Sequence, residues 1–528
     1  MAQRNKFSWI LVFLTVLALG AIMVPVIPVK AQTDWYVDGS SGTNDGSHGT
    51  GPSSLAFKTI QYAINDSRVS AGDTIKVAPG TYNESIVVNK SLILLGAQAD
   101  VDPRPSLGVR SGPESIIESS GTVLSIQAHN VVINGFTFKS NINNSTLNVV
   151  EAVDQQHPQI IYNIVYNTNP GGSSNEGIKV RRSYDSGAVV SYNYVYDIPK
   201  PGDAINFDSV NNGIITHNEV RNISSENAAI YVYNSQNTTI EDNIVDGTTQ
   251  NDGIKLGNKN GSNASNVGGS ITKNIVKNTK QDGISVYMSD VLVEGNDVSY
   301  STSENGAIYV AYGVSNITIH CNDIRDNTLS TGKWGNPAGI LIGTDVNVST
   351  VNVNCNNIWN NDPYGVTNKA RGSLDATGNW WGYPSGPGGE GPGSGDKVSS
   401  NVIYDPWLTQ RACAPPPVIH VKIDIKPGSE TNPINLGSKG VTPVAILSTD
   451  DFDASNVNPT TVKFADASPV RWTLCDVDGD GLLDMLLHFN TQDLKLSPTS
   501  TEAKLTGETI DGTPIEGTDV VKIVPRGG

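Results

Sequence analysis

Short apolar segments recur along residues 160–381 on two tracks that stay in step. The first has the form apolar-x-x-Asn-x-apolar, as in Ile215-Thr-His-Asn218-Glu-Val220 and Ile240-Glu-Asp-Asn243-Ile-Val245. It returns at 271–276, 293–298, 319–324 and 353–358, and the asparagines from Asn193 to Asn379 lie 25, 25, 31, 22, 26, 34 and 23 residues apart. The second track is a small residue followed by Ile: Gly177-Ile178, Ala204-Ile205, Ala229-Ile230, Gly253-Ile254, Gly283-Ile284, Ala307-Ile308 and Gly339-Ile340. A period in the twenties, built from β-branched segments and Asn/Gly turns, predicts stacked coils rather than one globular core. The all-β fold that satisfies it is a parallel β-helix, with each strand paired to its equivalent one coil away at roughly 4.8 Å. Apolar residues then alternate into the bore, and Asn holds a fixed turn position, where it tolerates left-handed geometry and bonds the Asn above and below. A β-sandwich offers similar strands but no reason for two tracks in phase.

Two flanking segments add to the tracks: the entry Gly72-Asp-Thr-Ile-Lys-Val-Ala-Pro-Gly-Thr-Tyr82-Asn-Glu84 and the exit Gly378-Asn379-Trp380-Trp381-Gly382. Together they resemble right-handed β-helix proteins of the pectin-lyase-like superfamily, over residues 33 to 410. The resemblance implies the fold and leaves the activity open. The start, Asp34-Trp-Tyr-Val-Asp-Gly-Ser, is similar to that of many secreted β-helix polysaccharide enzymes. A helix from Phe57, with Ile60, Ala63 and Ile64 on one stripe, is expected to cap the open end of the bore. Strands are expected over 74–77, 85–88, 92–95 and 131–138. Trp380, Trp381 and Trp407 are placed to seal the far end, giving a β-helix over 32–410.

Residues 1–31 read as a signal peptide: Arg4 and Lys6, an apolar run over 9–26, then Val29-Lys-Ala31. The run is long enough that an uncleaved anchor is the alternative. The expected location is extracellular, secreted or on the cell surface, with no membrane span after removal of the leader. The net charge of −17 disfavours nucleic acid as a partner. Removing the leader makes the chain more acidic still.

Past a Pro-rich linker at 411–417, residues 418–528 alternate like a small antiparallel β-sandwich. At its centre, Asp476-Val-Asp478-Gly-Asp480-Gly-Leu482-Leu-Asp484 places acids at positions one, three, five and nine. That is an oxygen cage for calcium, the one cofactor expected, with Asp476, Asp478, Asp480, Leu482 and Asp484 as the metal set. Position twelve is Leu487 rather than Glu, so the loop is no EF-hand. It resembles the nine-residue calcium loop between strands of integrin-like repeats, and the module resembles a C-terminal domain of various secreted bacterial proteins. Of the four cysteines, Cys321 and Cys355 precede repeat asparagines in consecutive coils, a register that predicts a disulfide. Cys413 and Cys475 form a weaker second pair.

The second track also locates the outer face. If each Ile points inward, the next residues point outward: Lys179 and Arg181, Asn206 and Asp208, Tyr231 and Tyr233, Lys255, Ser285 and Tyr287, then Tyr309. Glu176, Asp203, Asp252 and Asp282 rim the strands. Tyr231, Tyr233, Tyr287 and Tyr309 offer flat faces suited to sugar rings, although sheets favour Tyr in any case. The expected role is engagement of a polysaccharide or surface glycan by a monomer. One alternative is a calcium-assisted lyase on uronate polymers, with Lys179, Arg181 or Lys255 as base and cation, and with Asp203 and Asp208 on calcium. Another is a structural adhesion protein with no glycan site. Glu176 and Asp203 have the spacing of a glycosidase pair. The Gly-His-Gly of pectin hydrolases and the signatures of pectin esterases and uronate epimerases are absent. If the chain is an enzyme, a lyase is expected before a hydrolase or esterase.

Overall fold

A computed structural model describes residues 32–524, apart from 109, 145, 170–175, 185–186, 259–266, 312, 331–335, 414–418, 450–451 and 511–512. The proposed leader and most of the linker lie outside the described residues. The chain divides into two compact units between Gln410 and Arg411. Among the described residues, no helix is long and apolar enough to cross a membrane.

The first unit is a parallel β-helix. Its short strands stack into parallel sheets of 14, 13 and 11 strands, and the central coils contribute in turn to all three. The β-branched residues of the two tracks fill one continuous bore, in which Ile178, Ile205, Ile230, Ile254, Ile284 and Ile308 are wholly buried. Each such side chain removed from water contributes about 1.5–3 kcal/mol. The small residue before each Ile has a steric cause. A Cβ on Gly283 would lie 2.4 Å from the Val298 side chain and 2.8 Å from the Ala307 carbonyl. Only a small residue lets the coil turn its corner there.

The asparagine ladder runs from Asn163 to Asn379. Each Nδ2 donates to the next Oδ1 at 2.9–3.1 Å. The expected left-handed backbone falls one residue earlier: Tyr192, His217, Asp242, Lys273, Cys321 and Cys355 have φ of 52–55°. The left-handed residue turns the chain outward, so that the Asn side chain projects inward and is wholly buried.

The helix is shorter than expected, Ile60–Asn65, because the Glu84 carboxylate accepts the amides of Ile60 and Gln61 and so fixes its start. Ile60, Ala63 and Ile64 are buried. The strand expected over 131–138 is split into Val132–Asn134 and Phe136–Ser140 by Gly135, whose φ is +80°. Trp381 is buried at the far end.

The second unit holds two four-stranded sheets. One is antiparallel throughout, with Ile423–Ile425, Val441–Ile446, Asp484–Asn490 and Pro469–Cys475 in that order. The other is antiparallel except for the parallel edge strand Ile419–His420. Phe464 and Phe489, with ring centroids 5.4 Å apart, stand at the centre of its core.

Candidate glycan-binding face

The candidate residues lie on the 13-stranded sheet. Its registered strands place Lys179, Asn206, Tyr231, Lys255, Ser285, Tyr309 and Leu341 in one outward column. The inside–outside phase read from the second track therefore holds. None of the four tyrosines belongs to the bore. Tyr231 is nevertheless only 7% exposed, because neighbours cover it: the Tyr233 ring stacks on it at 4.6 Å and the Lys255 ammonium lies 5.6 Å from its centroid. Lys255 also sits 5.1 Å from the Tyr287 ring, which meets Tyr309 edge-on at 5.8 Å.

A cleft of about 470 Å³ opens here, lined by Glu226, Tyr231, Asp252, Lys255, Asp282, Tyr287, Tyr309 and Lys369, among others. Asp252 and Asp282 come from adjacent coils, two residues before the paired Ile254 and Ile284. The Asp252 carboxylate accepts the Ser285 hydroxyl at 2.6 Å and the Asp282 amide at 3.3 Å, and lies 3.6 Å from Lys255 Nζ. Asp282 accepts the Ser303 hydroxyl and, at 3.4 Å, the Gly306 amide. Burial, reinforced by the Asp252 charge, pushes the Asp282 carboxyl up to about 7. Burial also raises Asp252, and it holds the Lys369 ammonium below the usual lysine range.

The lyase constellation is not assembled as expected. Lys179 Nζ pairs with Glu176 at 2.8 Å and Arg181 Nε with Asp208 at 3.0 Å, so each cation is neutralised within the sheet, as Lys255 is by Asp252. Asp203 and Asp208 are held by different partners. Asp203 accepts Ser225 Oγ, Asn206 Nδ2 at 2.8 Å and the Ala228 amide at 3.4 Å, whereas Asp208 is held by Arg181 and by Ser209 at 2.9 Å. Burial raises Asp203, and it pushes Glu176 up to about 7 against the pull of Lys179. The part played by Asp252 and Asp282 as the acids of the cleft was not anticipated. The signal lay in the rim, where Asp-Gly-Ile occurs twice in succession.

In the second unit, Asp476, Asp478 and Asp484 each bring a carboxylate oxygen within 4.8 Å of the others. Gly479 and Gly481, with φ of +83° and +91°, fold the loop, and their amides donate to Asp476 at 2.7 and 3.1 Å. Asp480 departs from the expected set: it is outside this group, and its carboxylate accepts the Leu482 amide at 2.8 Å.

The predicted disulfide is corrected. Cys321 is disulfide-bonded, but Cys355 is a thiol, so the two are not joined. Equivalent residues in stacked coils hold their Cα–Cβ bonds parallel, which keeps the Cβ atoms near the strand spacing rather than at the closer approach a disulfide needs. Cys413 is also disulfide-bonded and Cys475 is a thiol, so that pairing is excluded too.

Residues 155–324 match the family model of the right handed beta helix region. The solenoid is a right-handed parallel β-helix. No curated protein sequence matches. Among solved structures, the catalytic unit of a GH87 alpha-1,3-glucanase from Streptomyces thermodiastaticus is 14% identical with a TM-score of 0.39, covering 72% of this chain and 70% of its own. The periplasmic alginate epimerase AlgG is 15% identical with a TM-score of 0.29, covering 63% and 76%. Tailspike protein 2 of Escherichia coli O157:H7 bacteriophage CAB120 is 11% identical with a TM-score of 0.31, covering 84% and 64%.

Proposed function

We propose that this chain is exported and binds a polysaccharide of neutral sugars in the cleft on the outer face of its 13-stranded sheet. The observation that carries this reading is the composition of the cleft: three tyrosines from neighbouring coils beside Lys255, Asp252 and Asp282. Ring faces take up the apolar side of a pyranose, while carboxylates and hydroxyls exchange hydrogen bonds with its hydroxyls. A neutral sugar fits better than a uronate because the charges already cancel locally: Lys255 lies against Asp252, and Glu226 is 3.2 Å from Lys200. A uronate would bring an anion against the buried Asp252 and Asp282.

Calorimetric titration with neutral and uronate oligosaccharides tests the reading. Neutral members should bind, and Tyr287→Ala should weaken them at least ten-fold, as loss of a stacked anchor does. Binding confined to uronates would reject it.

The acid pair supports a second reading, hydrolysis of the bound glycan. Asp282, whose carboxyl is raised to about 7, would give its proton to the glycosidic oxygen, while Asp252 serves the other side of the bond. Asp282→Asn should then keep binding and abolish the release of reducing ends. The loop of the second unit is proposed to hold calcium through Asp476, Asp478 and Asp484, a set of hard oxygen donors that suits that ion.

A further inference from the structure

The cleft occupies only part of a longer pattern. Along the rim, successive coils carry Glu176, Asp203, Ala228, Asp252, Asp282 and Gly306, and the outward column beside them carries Lys179, Asn206, Tyr231, Lys255, Ser285 and Tyr309. Both columns repeat every three coils: acid, acid, small residue against lysine, short polar residue, tyrosine. The chain spells the same words twice. Glu176-Gly-Ile-Lys returns as Asp252-Gly-Ile-Lys, and Asp203-Ala-Ile as Asp282-Gly-Ile. Ser225-Glu-Asn-Ala-Ala-Ile-Tyr returns as Ser303-Glu-Asn-Gly-Ala-Ile-Tyr.

The bonds repeat with the letters. Lys179 pairs with Glu176 as Lys255 does with Asp252. Ser225 donates to Asp203 as Ser303 does to Asp282, and each serine accepts the amide of Asn227 or Asn305 at 2.8 Å. The Ala228 and Gly306 amides reach the two aspartates at the same 3.4 Å.

Recurrence among inward residues needs no function, since a bore of constant width demands it. Outward lysines and tyrosines are under no such demand. The pattern also stops at both ends, with Glu151 before Lys179 and Leu341 after Tyr309. An independent observation marks the first copy. Glu176 Oε2 and Asn206 Oδ1 are buried without a protein partner, on residues only 6% and 2% exposed. Leaving a buried acceptor in that state is unfavourable, and sugar hydroxyls are donors that would satisfy both. The adjoining column does not repeat. The first copy is flanked by Arg181, Asp208 and Tyr233, and the second by Gly257, Tyr287 and Ala311, of which Tyr287 lines the cleft.

We propose that the sheet carries two copies of one glycan subsite, three coils apart, and that a single linear polysaccharide occupies both while running along the solenoid axis. This rests on the binding reading above. Three coils span roughly 14 Å at the spacing of paired strands, and an extended pyranose chain advances by close to one coil per sugar. Each copy therefore takes about three sugars, and a longer chain engages the second copy at high effective concentration.

The test is calorimetry with cello-, laminari-, manno- and xylo-oligosaccharides of three and six sugars. In the series that binds, trimers should occupy two sites per chain. Hexamers should occupy one, with affinity higher by roughly ten-fold or more. Glu176→Gln combined with Asn206→Ala should reduce the trimer stoichiometry to one and remove the advantage of the hexamer. A single trimer site in the unmodified protein overturns the two-copy inference and leaves the binding reading intact. Failure of every series to bind overturns both. The stoichiometry of the unmodified protein decides the matter even if the double variant does not fold.

Discussion

The asparagine ladder shows most plainly how single residues hold this molecule. Asn243 Nδ2 donates to Asn274 Oδ1 at 3.0 Å and to the Ile215 carbonyl at 2.9 Å, while its own Oδ1 accepts from the amide and side chain of Asn218. Removing it leaves several buried groups unsatisfied at once. Asn243→Ala should therefore destabilise the solenoid by on the order of 2–4 kcal/mol, read in a denaturant titration. The spacing made the ladder legible. It could not show that the left-handed residue precedes the Asn, because His, Asp, Lys, Tyr and Cys share no local signal at that site. The same blindness produced the Cys321–Cys355 prediction, since register fixes proximity and not the direction of a side chain. In undenatured protein without reductant, Cys355 should alkylate with iodoacetamide and Cys321 should not.

Asp282 supplies a prediction in pH. Its folded carboxyl is raised from 3.8 to about 7, so between those values the folded state binds more protons than the unfolded state. Its contribution to stability is therefore fully present below about pH 4 and is lost as pH rises through about 7. Asp282→Asn, which cannot ionise, should flatten this part of the melting-temperature profile. A profile unchanged by the substitution would mean that the carboxyl is not held protonated.

At the scale of elements, the stacked strands of the solenoid followed from apolar periodicity, because stacking equivalent strands leaves few other solutions. The outward face was legible in phase only. Lys179 and Lys255 are neutralised within their own coils, by Glu176 and Asp252 three residues away, whereas that Asp252 and Asp282 share the cleft depends on a contact between coils, which sequence spacing alone does not show. The loop of the second unit is an element with a test of its own. Asp476 and Asp478 are exposed and Asp484 is buried, so an ion held by all three would tie the loop to the strand Asp484–Asn490. Millimolar calcium should raise the melting temperature of the unit by several degrees, and Asp478→Asn should abolish the increase. An equal response in the variant would place the ion elsewhere.

For the whole molecule, a net charge of −17 sets the terms on which a polymer can approach. An acidic surface with internally paired lysines repels polyuronates at long range, and the repulsion weakens as salt screens it. Neutral chains meet no such barrier, and a solenoid offers them a straight face along which subsites recur at the strand spacing. The most direct measurement is diffraction from crystals soaked in a neutral oligosaccharide that binds in solution. Density for sugar rings should follow the column of Tyr231, Lys255, Ser285 and Tyr309, with a ring face against Tyr287. Sugar bound on either of the other two sheets, or only on the second unit, would contradict the account.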